Sequence, residues 1–170
     1  MDHFARLGLP ATLDIEPAAL DRAYFAHQRQ WHPDRFVTKP AADKARASGE
    51  AASLNEAYRT LKDPISRAFY LASLSGVDMP VDGKTIDDPE LLMEAMEARE
   101  ALQDAATPDA VDSLAARTRS ELQQSLGTLP GLFLRDDKPA IRRALLRLRY
   151  LDKFADEAKA RRTNLEKQSA

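Results

Sequence analysis

Residues 31–36 read WHPDRF, and this stretch interrupts a chain that otherwise shows the pattern of amphipathic helices. Pro33 ends the helix before it, because the residue preceding a proline is pushed out of the helical region. That helix begins near Pro17, and the next helix runs over about residues 41–62. The two helices and the short loop between them predict an antiparallel hairpin with WHPDRF at its tip.

The tip of such a hairpin projects into solvent, and its residue types suit recognition. Pro33, which follows His32, fixes the backbone, so that Asp34 presents a carboxylate outward at low entropic cost. Three arginines on the preceding helix and in the loop form a basic strip beside this acid: Arg22, Arg29 and Arg35. The plainer interpretation is a solvated helix face that ends in a stiff turn.

The rest of the chain also reads as helix. A short helix ends near Gly8, and another covers about residues 65–74. The segment VDMPVDGKTIDDP (77–89) contains prolines, a glycine and four aspartates, which is typical of a domain boundary. We expect a first domain over residues 1–76 and a linker over 77–87.

Residues 88–170 then predict a three-helix bundle. Its helices are expected over about 89–105, 108–126 and 139–168, each with a proline in the first turn. The sequence GTLPG (127–131) is expected to form the turn between the last two helices. Because no alternation with a period of two persists anywhere, the fold class is all-α.

Composition excludes several function classes. A net charge of −2 over 170 residues argues against a general nucleic-acid-binding or membrane-surface protein. The chain has no cysteine, its three histidines are badly spaced for a metal site, and no glycine-rich phosphate loop occurs. We therefore expect no enzyme activity, cofactor or metal. Because no leader or long apolar run is visible, a cytoplasmic location is the default expectation.

Charge is distributed unevenly in the second half of the chain. Residues 87–104 contain seven acidic residues and one basic residue, whereas residues 135–167 contain eleven basic and six acidic residues. This asymmetry is compatible with two helices packed side by side through complementary rims. It is equally compatible with an acidic docking face.

The first helix of the bundle has a second apolar face. At about 100° per residue, a core stripe that starts at Leu91 leaves three apolar side chains on the other side of the helix, Leu92, Met93 and Met96. Acidic residues frame them, namely Glu97, Glu100 and Asp104. On the last helix Tyr150 lies opposite Ile141 and is expected to point away from the core. Exposed apolar residues rich in methionine suit protein recognition.

Two stretches resemble the J-domain of DnaJ-like co-chaperones. These are YFAHQRQWHPDRF (24–36) and LNEAYRTLKDPISRAFY (54–70), which carry its His-Pro-Asp loop and its Asn-Glu-Ala-Tyr and Asp-Pro-x-x-Arg signatures. Four other stretches are similar to the HscB family of J-type co-chaperones: MDHFARLGLP (1–10), RAFYLASLSG (67–76), ELLMEAMEAREAL (90–102) and RLRYLDK (147–153).

The resemblance implies a co-chaperone of iron–sulfur cluster biogenesis. Its J-domain would stimulate ATP hydrolysis by the DnaK-like chaperone HscA, and its helical domain would deliver the cluster scaffold IscU. The loop His32, Pro33 and Asp34 matches the ATPase-stimulating loop of the family. The apolar and acidic residues of 92–104, with Tyr150, match the scaffold-binding surface. Two alternatives remain, a J-type adaptor for another client and an unrelated helical enzyme or regulator.

Overall fold

The computed structural model describes residues 1–80 and 86–168, and every regular element within them is helical. The seven α-helices are α1 (His3–Arg6), α2 (Pro17–Trp31), α3 (Ala41–Lys62), α4 (Pro64–Leu74), α5 (Pro89–Asp104), α6 (Pro108–Leu134) and α7 (Lys138–Gln168). A 3₁₀ turn over Pro33–Phe36 follows α2. The all-α prediction is confirmed.

The chain divides into two compact units, Met1–Leu74 and Ser75–Ala170. The segment after Leu74 is attached to the second unit, since Val77 is buried and the carbonyl of Asp78 accepts a 3.0 Å hydrogen bond from Arg142. Residues 81–85, within the segment that the sequence predicts as a linker, lie outside the described residues.

The first unit is built on an antiparallel pair of helices, α2 and α3. The hydroxyl of Tyr24 donates to Asn55 at 2.7 Å, and the hydroxyl of Tyr58 donates to Asp21 at 2.7 Å. Residue 21 of α2 therefore pairs with residue 58 of α3, and residue 24 pairs with residue 55. Because the residue number rises along α2 as that of its partner falls along α3, the helices run in opposite directions, as predicted. The core beneath them is formed by buried side chains from α1 to α4: Phe4, Leu20, Leu54, Ala57, Leu61 and Ala68.

A buried arginine attaches α4 to this hairpin. Arg67 donates from Nε to the carbonyl of Leu61 at 2.7 Å and from Nη1 to the carbonyl of Leu13 at 2.6 Å. Asp63 caps the start of α4 by accepting from the backbone N–H of Ser66 at 2.7 Å. The Asp-Pro-x-x-Arg signature is therefore structural in this chain, since its acid begins the helix and its arginine fixes the helix in place.

The second unit contains one correction to the sequence analysis. The prediction of a turn over 127–131 is wrong, because α6 continues through Pro130 to Leu134. A proline inside a helix removes one hydrogen bond and costs about 3 kcal/mol. Here Pro130 is exposed and its neighbour Leu129 is fully buried, so packing overrides the local preference.

The turn into α7 follows at Asp136, which adopts a positive φ of 50°. The backbone N–H of Ala140 then donates to Asp137 at 3.1 Å, so this carboxylate caps the start of α7. In the same way Asp88 accepts from the N–H of Leu91 at 3.1 Å and caps α5. In each of the two acidic pairs that precede these helices, Asp87-Asp88 and Asp136-Asp137, the second acid therefore caps the helix.

The last helix, α7, is the central element of the second unit. One stripe of α7 is buried, and it includes Ile141, Leu145 and Leu148. Side chains of another face contact α5: Arg143 pairs with Glu90, Glu157 pairs with Arg99, and Arg161 donates to carbonyls at the end of α5. As a result α7 has a partner helix on two sides. Within the described residues of the second unit, α5 keeps an outer face that neither α6 nor α7 covers.

Candidate functional site

The tip of the α2–α3 hairpin displays a carboxylate. His32 ends α2 in an extended conformation, and its Nδ1 accepts a 3.3 Å hydrogen bond from the backbone N–H of Asp34. The carboxylate of Asp34 lies 3.6 Å from the same nitrogen, and its side chain is 84% exposed. Histidine, proline and aspartate thus form one compact turn in which the imidazole holds the backbone and the acid faces solvent.

Aromatic and cationic contacts brace this turn. The rings of Trp31 and Phe36 stack with their centroids 6.1 Å apart, and both side chains are half-buried. The guanidinium of Arg46, on α3, lies 5.5 Å from the centroid of the Trp31 ring. Arg35 donates from Nη1 to the carbonyl of Arg29 at 3.1 Å. The turn is therefore held by both helices of the hairpin, and Arg46 is a contributor that sequence reasoning missed.

The predicted basic strip lies on the exposed side of α2. Arg22 and Arg29 are both exposed, and Arg22 makes one loose ion pair with Glu16, at 3.5 Å. Between the two arginines lies Phe25, whose side chain is 52% exposed. Sequence reasoning also missed Phe25, although its position three residues after Arg22 and four before Arg29 places it on the same face.

A second candidate surface lies on the outer face of α5. Leu92, Met93 and Met96 are 44%, 62% and 61% exposed. The structure therefore places these three predicted residues together on an exposed patch. The core stripe of the same helix is buried, as predicted, at Leu91, Ala95 and Leu102. We call the exposed apolar side chains together with Glu97, Glu100 and Asp104 the α5 crest.

The acidic residues around α5 fall into two groups. Four of them pair with arginines of α7: Asp87 with Arg142 at 2.7 Å, Asp88 and Glu90 with Arg143 at 3.1 and 2.6 Å, and Glu94 with Arg147 at 3.4 Å. In the described part of the chain no ion pair involves the other three, Glu97, Glu100 and Asp104, and all three are exposed. Both arrangements that the sequence allowed are therefore present. The paired acids form complementary rims with α7, and the unpaired acids form an exposed acidic face on α5.

Tyr150 lies at the edge of the α5 crest, and its predicted orientation needs correction. Because α7 is central, the side opposite Ile141 is turned toward α5, and Tyr150 is half-buried there. It lines a groove of about 220 Å³ together with Leu92 and Met96. Sequence periodicity indicates only on which face of its own helix a side chain lies. Whether a neighbouring helix covers that face depends on the tertiary packing.

On its other side Tyr150 reaches a second groove, of about 470 Å³, which lies between α5 and α6. Arg147 joins the two helices across this groove, since its Nη2 lies 3.4 Å from Glu94 and 3.5 Å from Glu121. Burial first, and the negative charges of Glu94 and Glu121 second, raise the pKa of the Tyr150 hydroxyl. The hydroxyl therefore stays neutral at physiological pH. Tyr150 thus presents an apolar ring with one neutral polar group at its end.

Residues 1–80 and 86–168 contain no cluster of three or more side chains suited to hold a metal ion. Within the same residues, none of the helices has the length and apolar character that a membrane span requires. The surfaces that the structure offers are instead two exposed protein faces, one on each unit.

Comparison with known proteins identifies both units. Residues 87–159 match a family model described as the HSCB C-terminal oligomerisation domain. A co-chaperone protein HscB homolog of Burkholderia multivorans is 42% identical over 167 residues, which cover 96% of this chain and 95% of the relative. A second homolog, from Cupriavidus taiwanensis, is 42% identical over 156 residues, or 90% of this chain and 89% of the relative.

Solved structures extend the similarity to the whole fold. The chaperone HscB from Vibrio cholerae matches with a TM-score of 0.84 and 30% identity, covering 97% of this chain and 99% of that one. The human co-chaperone protein HscB matches with a TM-score of 0.85 and 26% identity, covering 94% and 81%. The family resemblance predicted from the sequence is confirmed: the chain belongs to the HscB family of co-chaperones, with a J-domain followed by a C-terminal helical domain.

Proposed function

We propose that this chain delivers an iron–sulfur cluster scaffold protein of the IscU type to a DnaK-like chaperone of the HscA type and stimulates its ATP hydrolysis. The observation that carries the proposal is the 84% exposed carboxylate of Asp34 on a braced turn, in a chain of the HscB family. The chain itself performs no covalent chemistry. Its work promotes cluster assembly or transfer, in the cytoplasm, where ATP is available to the chaperone.

The first step of the mechanism uses the hairpin tip, at His32, Pro33 and Asp34. A carboxylate held in one geometry pairs with an arginine of the chaperone's ATPase domain without losing much conformational freedom on binding. The exposed arginines Arg22 and Arg29 attract an acidic surface of the chaperone and orient it. Arg35, which is tied to the end of α2, contributes its charge beside Asp34.

The second step uses the α5 crest and Tyr150. Burying a side chain the size of leucine or methionine stabilises a complex by about 1.5–3 kcal/mol before the loss of freedom on association is subtracted. Three such side chains with an aromatic edge therefore supply several kcal/mol before that loss is subtracted. The unpaired acids Glu97, Glu100 and Asp104 favour a partner whose apolar surface is bordered by lysine or arginine.

The same acids bear on self-association. A symmetric contact through the α5 crest brings the same patch of two copies together, and like charges then oppose one another. The crest therefore suits a different, basic protein better than a second copy of this chain.

Joining the two surfaces in one chain gives the adaptor its effect. A scaffold held by the second unit meets the peptide-binding domain of the chaperone at a raised effective concentration while the first unit contacts the ATPase domain. Hydrolysis then traps the scaffold. A J-domain adaptor that delivers a different client is the alternative, since it shares the first step but not the second.

Two measurements test the proposal. With Asp34→Ala, we expect chaperone ATPase stimulation to be lost, and its survival would contradict the role of the tip. Calorimetric titration of the scaffold should show that Leu92→Ala/Met96→Ala/Tyr150→Ala binds much more weakly than wild type. Leu134→Ala is the control, because Leu134 is 90% exposed in the same unit but distant in sequence from α5.

The titration also separates the two candidate clients. Equal affinity of the triple variant and wild type removes the α5 crest as the docking surface. If neither protein binds the scaffold, the adaptor for another client is favoured.

A further inference from the structure

Phe25 is an exposed aromatic side chain on the face of α2 that also carries the two exposed arginines. Among the exposed large apolar residues of the chain it is the only aromatic one in the described residues. A single exposed apolar residue is ordinary on a protein surface and by itself indicates nothing. The side chains around Phe25 distinguish it from an ordinary exposed apolar residue.

The outer face of α2 has no acid among its own residues, and the acid beside it is Glu16, which precedes the helix and pairs loosely with Arg22 at 3.5 Å. With Leu20 buried and pointing inward, Phe25, Arg22 and Arg29 lie within about 40° of the opposite direction, at about 100° per residue. Two small side chains, Ala18 and Ala26, complete this exposed face and leave the aromatic ring prominent. An apolar ring between two cations fits a surface that is apolar at its centre and negative at its border.

The ring of Phe25 is held in place before any partner binds. It packs against Tyr24 with a centroid distance of 5.3 Å, and the hydroxyl of Tyr24 is itself bonded to Asn55 on α3. Arg29 donates from Nε to the carbonyl of Phe25 at 3.3 Å, so its cationic head lies over the same turn. Because the side chain is already ordered, little conformational entropy is lost when it is buried in a complex.

This face is continuous with the hairpin tip. Arg35 lies next to Asp34 and donates to the carbonyl of Arg29 at 3.1 Å. A partner that contacts Asp34 therefore meets Arg29 next, and Phe25 one helical turn further along α2.

We propose that Phe25 is the apolar anchor of the chaperone-binding surface, and that it inserts into an apolar pocket bordered by carboxylates on the ATPase domain of the DnaK-like partner. This inference rests on the proposed function. It assigns separate tasks along one face: Asp34 determines the stimulated rate, Phe25 determines affinity, and Arg22 and Arg29 determine the dependence of binding on salt.

The test measures chaperone ATPase rate against co-chaperone concentration. With Phe25→Ala we expect the half-saturating concentration to rise by about tenfold, with the maximal rate unchanged, as for loss of a buried aromatic contact. The effect should persist at high salt. Leu74→Ala is the matched control, since Leu74 is 47% exposed in the same unit but lies on α4, and its curve should match wild type.

The outcomes separate the inference from the proposed function. If wild type stimulates the chaperone and Phe25→Ala has the same half-saturating concentration, the inference is overturned and the proposed function stands. A reduced maximum with unchanged half-saturation also overturns it, because Phe25 then acts through the tip. Phe25→Gln, which replaces the ring by a polar side chain and keeps a good helix former in α2, must show the same tenfold rise. If wild type gives no stimulation, the proposed function fails and the inference fails with it.

Discussion

At the scale of single residues, Arg67 shows how a charge can be structural. The residue is only 8% exposed, and its guanidinium donates to two backbone carbonyls that belong to Leu61 and Leu13. Burial lowers its pKa, but arginine remains charged at any physiological pH. The residue therefore joins three segments of the first unit at one point.

We expect Arg67→Met to lower the free energy of unfolding by about 2–4 kcal/mol, because each buried carbonyl left without a donor costs about 1–3 kcal/mol. Urea denaturation followed by circular dichroism measures this change. Arg59→Met is the control, since Arg59 is exposed on α3. Equal midpoints for the two variants would show that Arg67 is dispensable for the fold.

Asp87 gives the second unit a dependence on acid pH. Hydrogen bonds from Arg142, at 3.0 and 2.7 Å, lower the pKa of Asp87. Since the folded-state pKa lies below that of the unfolded chain, the stabilisation is present above the ordinary value of about 3.9 and is lost as pH falls through the lowered value.

Asp87→Asn should therefore reduce the thermal midpoint at neutral pH, and the difference from wild type should disappear as the pH falls through the lowered pKa of Asp87. Melting curves across this range measure it. Glu100→Gln, which removes an unpaired acid, should show no such convergence. A difference between wild type and Asp87→Asn that is constant with pH would rule out the ion pair as its cause.

At the scale of elements, the acidic residues around α5 divide into those that hold the helix and those that are free to meet a partner. Neutralising the free group, by Glu97→Gln, Glu100→Gln and Asp104→Asn, should weaken scaffold binding by about threefold to 150-fold, since each exposed pair contributes about 0.2–1 kcal/mol. The loss should shrink at high salt, and the thermal midpoint should be unchanged.

The acids that pair with arginines of α7 supply a control with the opposite expected result. Asp87→Asn, Asp88→Asn and Glu90→Gln keep the helix cap in amide form and should lower the thermal midpoint while scaffold affinity stays close to that of wild type. For both triple variants, calorimetry measures scaffold affinity and melting curves measure the thermal midpoint. If both sets change affinity equally, the division into holding and binding acids is wrong.

Much of this architecture could be predicted from the sequence. The hairpin, the helix starts at proline and the core stripe of α5 follow from local rules of capping and periodicity. The turn expected at GTLPG was wrong, since the full burial of Leu129 outweighs the local effect of Pro130. Packing against a neighbouring helix is a tertiary contact, and local sequence rules cannot predict it.

The candidate surfaces divide in the same way. The residues of the α5 crest could be found because they violate the amphipathic pattern of their own helix. Tyr150 required knowledge of which helix covers α7, and Arg46 required the approach of α3 to the hairpin tip. Phe25 was missed although its spacing from Arg22 and Arg29 places it on the same face, because the sequence alone does not show that its ring is exposed.

At the scale of the whole molecule, the adaptor mechanism requires both surfaces to be carried by one chain. Asp34→Ala keeps the α5 crest, and Leu92→Ala/Met96→Ala/Tyr150→Ala keeps the hairpin tip. Each variant alone therefore retains one half of the adaptor. If covalent linkage is what matters, the two halves do not compensate for each other when they are on separate molecules.

The most direct test measures the increase in chaperone ATPase rate on addition of limiting scaffold, with an equimolar mixture of the two variants. We expect wild type to show this scaffold-dependent increase and the mixture to stay at the level of the triple variant alone. A mixture that restores the wild-type increase would contradict the adaptor mechanism, because delivery and stimulation would then not need to reside in the same molecule.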